Sequence, residues 1–204
     1  MKINYSDAID ERCGIEYEVY KDIIITPFYK KEFCQELVSI AEFYKDRFAP
    51  NISYYYKGVN SNDSPWNTIN INQISVFLFQ DFCNHYKKTI CPLLEKIYLE
   101  TKITGWFSPM IIKYENKGQE LDLHHDESLV TMNCKLNDNY KGSTLYFPRQ
   151  DFSNKDIPVG TAYFWPSNVT HPHKTDQLQS GTKYTFTSWT FPPAWKKENF
   201  IANV

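Results

Sequence analysis

The sequence predicts an α+β fold, a double-stranded β-helix (jelly-roll) core with supporting amino-terminal helices. Three observations predict it. From Trp106 onward, short runs rich in Val, Ile, Thr, Tyr, Phe and Trp are separated by Gly, Pro and polar punctuation, the signature of many short strands. Before that point, apolar residues recur at helical steps instead. Aromatic residues make up 17 % of the chain, with 15 Tyr and 14 Phe against 7 Gly, a mixture that packs well on pleated surfaces. At 204 residues and 42 % hydrophobic, the chain can bury one sizeable core, so one domain is expected over 22–204, preceded by an extension over 1–21.

Residues 1–21 are polar and weakly patterned, and 22–26 reads as a short buried strand ended by Pro27. Phe33, Leu37, Ile40, Tyr44 and Phe48 then lie three or four residues apart, which places them on one face of a helix over about 30–48. The stretch 51–67, with Tyr54-Tyr55-Tyr56, Gly58 and Pro65, carries loop signals and reads as a flap near a site. Val76, Phe79, Cys83, Tyr86 and Ile90 mark a second helix, which Pro92 interrupts or restarts before Leu93, Leu94 and Ile97. Strands follow over 107–114, 129–136, 143–147, 161–165 and 183–191. A helical layer supporting an antiparallel double-sheet barrel is the simplest assembly of these parts.

Composition excludes several function classes. A net charge of -2 gives no electrostatic footprint for nucleic acid, and no polybasic stretch marks a membrane surface. Apolar runs such as Ile23-Ile24-Ile25 and Met110-Ile111-Ile112 fall far short of the ~20 residues a bilayer-spanning helix needs. The first residues lack the apolar core of a secretory signal. Five scattered cysteines without a CxxC pair fit neither a disulfide framework nor a zinc knuckle. Free thiols and a cytoplasmic location are therefore expected, unless the chain is a piece of a larger secreted protein.

Four of the five histidines sit in two tight clusters: Leu123-His124-His125-Asp126-Glu127, before a predicted strand, and Thr170-His171-Pro172-His173, between two. In an extended segment alternate residues share a face, so His124 and Asp126 point together and His125 points away. One imidazole and one carboxylate thus converge. A third ligand from the second cluster would complete a two-histidine, one-carboxylate facial triad, which leaves open positions on iron. His171 and His173 both qualify, and alternation does not choose between them. Lys183 lies ten residues past His173, on the next predicted strand, where its ammonium can reach the distal carboxylate of a chelating 2-oxo acid. In a run as apolar as Tyr184, Phe186 and Trp189, a lysine needs an anionic partner or must snorkel to the surface.

These motifs resemble the dioxygenase domain of procollagen lysyl hydroxylases, within the wider prolyl and lysyl hydroxylase group. The match runs through Ile112-Lys113-Tyr114, His124-His125-Asp126-Glu127-Ser128, Thr131-Met132-Asn133, Tyr140-Lys141-Gly142, Thr170-His171-Pro172-His173, Gly181-Thr182-Lys183-Tyr184 and Ser188-Trp189-Thr190-Phe191-Pro192, with weaker similarity back to about residue 22. The resemblance implies that His173 is the third iron ligand beside His124 and Asp126. It also implies that Lys183, Tyr114 and Asn133 contact 2-oxoglutarate. Fe(II), 2-oxoglutarate and O2 would be the cofactor set, with ascorbate as an accessory. The implied activity is hydroxylation of an amino-acid side chain, foremost lysine in a peptide or protein. A prolyl residue, a free amino acid and another small molecule are the alternatives, and a silent binding module is the rival class.

Two departures from the family pattern bear on substrate. Lysyl hydroxylases usually carry Arg where Lys183 stands, and lysine is the prolyl hydroxylase choice. The family's two-glycine turn appears here as Lys141-Gly142-Ser143. Candidate substrate-facing features are the 51–67 stretch, the turn near Lys141, and the carboxylates of Asp122 and Glu127.

Overall fold

Strand alternation sorts the side chains of the larger sheet into an apolar outer face and a mixed inner face, polar along two of its strands, and the site lies on the inner side. The computed structural model describes residues 5–50, 67–99, 101–167 and 169–191. Its strands are β1 (Glu18–Tyr20), β2 (Ile23–Pro27), β3 (Ala49–Pro50), β4 (Asn67–Asn70), β5 (Met110–Tyr114), β6 (Leu121–His124), β7 (Val130–Lys135), β8 (Lys141–Gly142), β9 (Leu145–Phe147), β10 (Phe152–Ser153), β11 (Thr161–Pro166), β12 (His173–Thr175), β13 (Leu178–Ser180) and β14 (Lys183–Trp189). Eight form the larger sheet, in the order β1-β2-β11-β7-β14-β5-β4-β3; β10-β9-β12-β6 form a smaller one, and β8 and β13 pair as a ribbon. All these pairings are antiparallel. Two facing antiparallel sheets are the double-sheet core expected of a jelly roll.

The α-helices among the described residues are α1 (Tyr5–Ala8), α2 (Lys31–Phe43), α3 (Ile71–Ile74), α4 (Val76–His85) and α5 (Cys91–Ile97). On the outer face of the larger sheet, Ile24, Ile111, Met132, Cys134, Phe164 and Phe186 join one core with α2 and α4. Phe186 is the hinge of that packing, 5.2 Å from the ring of Phe82 on α4 and 5.5 Å from that of Tyr29. On the inner face, Ile23, Tyr163 and Trp165 pack against Leu145 and Phe147 of the smaller sheet. The same inner face carries Thr131, Asn133 and Lys135 of β7 and Lys183, Thr185 and Thr187 of β14, because each set alternates along its strand. The space between the sheets is therefore apolar on one side and polar on the other.

Several boundaries differ from the sequence expectation. The stretch expected as an extension contributes Tyr5, Ala8 and Cys13 to the core, and its β1 pairs with β2. The first long helix stops at Phe43; a 3-10 turn at Lys45–Arg47 follows, and Phe48 is already extended, leading the chain into β3. Tyr44 and Phe48 still pack on the core, so their spacing was a packing signal without being a helical one throughout. The second helix continues through a π-helical stretch at Tyr86–Ile90 into α5 (Cys91–Ile97). Pro92 falls in the first turn of α5, directly after the π-helical stretch, and has no N–H to give to the turn before it. No helix among the described residues is long and apolar enough to cross a membrane.

Candidate metal centre

β6 ends on His124 and β12 begins on His173, and the two residues are register partners across the antiparallel pair. Their rings lie 4.3 Å apart. Asp126, two residues past β6, swings back between them, with Oδ1 3.7 Å from His124 Nε2 and Oδ2 3.6 Å from His173 Nε2. Ligand atoms of His124, Asp126 and His173 all lie within 4.8 Å of one another. Both imidazoles are oriented from behind. His124 Nδ1 is 2.7 Å from the Asp122 carbonyl and His173 Nδ1 is 3.0 Å from the His171 carbonyl. A carbonyl only accepts, so each Nδ1 carries the proton and each Nε2 presents its lone pair to the shared point.

The carboxylate is held as firmly. Thr131 on β7 donates its hydroxyl to Asp126 Oδ2 at 2.6 Å, and Thr131 is itself linked to Ser167 at 2.6 Å and Ser128 at 2.9 Å. Trp165 and Phe147 wall the buried side of His173, each with its ring 5.1 Å away. Burial pushes the His173 imidazole below its ordinary range against the opposing pull of Asp126, which favours the neutral form that binds metals.

His171, the rival third ligand, is engaged elsewhere. Its Nε2 lies 3.0 Å from the carbonyl of Lys21, and its Nδ1 lies 2.9 Å from the Thr170 hydroxyl. Lys21 and Asp22, both with positive φ, form the two-residue turn between β1 and β2. His171 thus ties that hairpin to the loop carrying His173 and offers its backbone carbonyl as the orienting group. The remaining histidines are outside the cluster: His125 is exposed, and His85 sits 3.4 Å from the buried Cys13 thiol. Burial raises that thiol to about 12 and lowers that imidazole to about 4, so the pair is neutral and structural. All five cysteines are free and buried.

Lys183 opens β14 and is 3 % exposed. Its Nζ donates to the Ser143 carbonyl at 2.6 Å and lies 5.0 Å from the centre of the Tyr114 ring, its register partner on β5. The ion pairs that lysines make among the described residues involve Lys30, Lys113 and Lys174, and Lys183 has no carboxylate beside it. Burial, reinforced by the charge of Lys135, pulls its ammonium down to about 7. Asn133 lies between Lys183 and the metal cluster along the inner face, donating to Thr187 at 2.8 Å and accepting from Tyr163 at 2.7 Å. Tyr163 in turn accepts from Asn154 at 2.9 Å. This Asn154–Tyr163–Asn133 chain, like the Ser128–Thr131–Ser167 one, was not foreseen from sequence, because its members come from separate segments with no shared spacing. Asp122 and Glu127 are exposed, and the expected flap at 51–67 lies outside the described residues save for Asn67, the first residue of β4.

Two histidines and one aspartate converging at one end of a jelly roll define a class: double-sheet folds with a His-Asp-His cluster that could hold a metal ion. Within that class the chain resembles the procollagen lysyl hydroxylases in sequence and the prolyl hydroxylases in fold. It is 24 % identical over 201 residues to human procollagen-lysine,2-oxoglutarate 5-dioxygenase 2, covering 94 % of this chain and 25 % of that protein. A Drosophila melanogaster procollagen-lysine,2-oxoglutarate 5-dioxygenase is 24 % identical over 208 residues, covering 94 % of this chain and 26 % of its own length. The chain thus spans about a quarter of the length of the curated relatives it matches. No protein-family model matches it. Among solved structures, a prolyl hydroxylase from Trichoplax adhaerens, in complex with a hypoxia inducible factor peptide fragment, superposes with a TM-score of 0.68 at 19 % identity, covering 83 % of each chain. A viral collagen prolyl hydroxylase from Paramecium Bursaria Chlorella virus-1, in its 2OG complex, gives 0.60 at 14 % identity over 84 % of this chain and 97 % of that one.

Proposed function

We propose that this domain is an Fe(II)- and 2-oxoglutarate-dependent hydroxylase acting on an amino-acid side chain, foremost lysine in a peptide or protein. The observation that carries the reading is the convergence of His124, Asp126 and His173 with both Nε2 atoms turned inward. Two imidazoles, one carboxylate and no thiolate suit iron in the facial-triad arrangement. Lys183, buried in the same inter-sheet space without a carboxylate beside it, suits the far end of a dicarboxylic oxo acid. In this reading Tyr114 and Asn133 line the path between them and donate to the bound oxo acid.

Iron with 2-oxoglutarate and dioxygen supplies the oxidising chemistry, yielding succinate and carbon dioxide while one oxygen atom enters a C–H bond of the substrate. The protein's own part is positional. Thr131 holds the Asp126 carboxylate, Trp165 and Phe147 keep water from the back of His173, and Lys183 would hold the far carboxylate of the oxo acid.

The test is incubation with Fe(II), ascorbate and 2-oxoglutarate beside a panel of Lys- and Pro-containing peptides and free amino acids, following succinate and the gain of one oxygen by mass. Lysine-containing peptides are expected to gain it, and His124→Ala or Asp126→Ala to abolish both signals. Full turnover in both variants would overturn the ligand assignment. Oxygen gained on proline peptides alone would support a prolyl reading, which a lysine at position 183 favours.

A further inference from the structure

Lys183 is not the sole buried lysine on the inner face of the larger sheet. Lys135, at the end of β7, is 9 % exposed. It is the register partner of Thr185, which stands two residues from Lys183 on the same face of β14. The two stems therefore rise one strand apart into one space. Each ammonium has a single hydrogen-bond partner among the described residues, a backbone carbonyl: Ser143 for Lys183 at 2.6 Å and Ile157 for Lys135 at 3.1 Å. Neither has a carboxylate beside it among the described residues. An ammonium has three donors, so two remain on each. The Ser143 hydroxyl, fully buried, also has no partner among the described residues.

Burial chiefly, and the charge of Lys135 with it, holds the Lys183 ammonium down, so the two groups feel each other across the inter-sheet space. A purely structural Lys135 would cap the Ile157 carbonyl. That duty uses one donor and needs no charge. A carboxylate offers about four lone-pair sites, matching the four unused N–H donors.

We propose that Lys135 is a second cationic contact for the far carboxylate of the 2-oxo acid, and that the pair Lys135–Lys183 selects dicarboxylic over monocarboxylic oxo acids. This rests on the function proposed above. It adds a specificity-determining residue that the motif spacing does not contain.

The test is calorimetric titration of the protein, loaded with Mn(II) as a redox-inert stand-in, with 2-oxoglutarate and with 2-oxopentanoate, which has the same carbon chain without the far carboxylate. Lys135→Met is expected to weaken 2-oxoglutarate by about tenfold or more, the scale of a lost charge-assisted hydrogen bond. It should leave 2-oxopentanoate within about twofold, and Lys135→Arg should recover most of the loss. Unchanged 2-oxoglutarate affinity in Lys135→Met, or an equal loss for both oxo acids, would overturn the proposal. If Lys135→Met does not fold, the unsubstituted protein decides through 2-oxo-4-phosphonobutanoate, whose far end carries more negative charge. Two ammoniums predict binding at least as tight as 2-oxoglutarate, and weaker binding overturns them. Failure of the unsubstituted, metal-loaded protein to bind 2-oxoglutarate at all is a different result: it removes the oxygenase reading itself.

Discussion

Thr131 shows how a residue that never touches the metal point can set it. Its hydroxyl donates to the Asp126 oxygen that faces His173, and it is anchored in turn by Ser167 and Ser128. Thr131→Val keeps shape and removes the donor, so metal affinity should fall by about 10- to 100-fold, the usual range for an orienting partner, measured by Mn(II) titration. Lys183 gives a pH signature. Its folded, ligand-free value is about 7 against an ordinary 10.5, so between those values the unfolded chain holds a proton that the folded one has lost. Stability of the free protein should therefore gain from this group as pH rises through that window. A bound carboxylate favours the charged ammonium, so 2-oxoglutarate binding must take up a proton above pH 7. Affinity is expected to be flat below about 7 and to fall by up to about tenfold per pH unit above it. Calorimetry across that range should find the slope in the unsubstituted protein and lose it in Lys183→Met.

At the scale of elements, the turn after β8 places the carbonyl that receives Lys183. Gly142 and Ser143 both have positive φ, at 75° and 53°, and a Cβ on Gly142 would come within 2.2 Å of the Gln177 carbonyl. Gly142→Ala should cost about 1–3 kcal/mol for the backbone conformation alone, with the clash added. It should also weaken 2-oxoglutarate binding, because Ser143 moves with it; thermal melting and titration of one sample check both. The long strands β11 and β14 were legible in sequence, since Thr, Tyr, Phe and Trp fill most of them, and β7 was expected within 129–136 although only Val130 and Thr131 in it are β-branched. β6 and β12, which carry His124 and His173, were not. Leu-Asp-Leu-His and His-Lys-Thr are too short and polar to show a hydrophobic period. The choice between His171 and His173 was illegible for a related reason. Alternation treats them alike, but β12 starts at His173, and what occupies His171 is the carbonyl of Lys21, 150 residues away.

At the scale of the molecule, the metal point is where the two sheets are joined by side chains. His124 and His173 belong to the smaller sheet, whereas Asp126 sits on the connection into β7 and is held by Thr131 of the larger one. A metal held by all three side chains would link the two sheets, and binding to the folded state alone adds to its stability by mass action. At Mn(II) about 100 times its dissociation constant the gain is ~2.7 kcal/mol, which for a chain of this size corresponds to a rise of roughly 5–11 °C in Tm. Asp126→Ala should lose that rise, because the remaining two imidazoles stand on one sheet and no longer bridge to the other. Phe186→Ala separates the two kinds of stability. It removes a fully buried ring that ties α4 to β14 on the outer face, far from the ligands in the packing order. The Tm of the metal-free protein should fall, by ~3–5 kcal/mol in stability, while the Mn(II)-induced increment stays near that of the unsubstituted protein. An increment lost in Phe186→Ala but kept in Asp126→Ala would mean that the metal binds somewhere other than between the sheets.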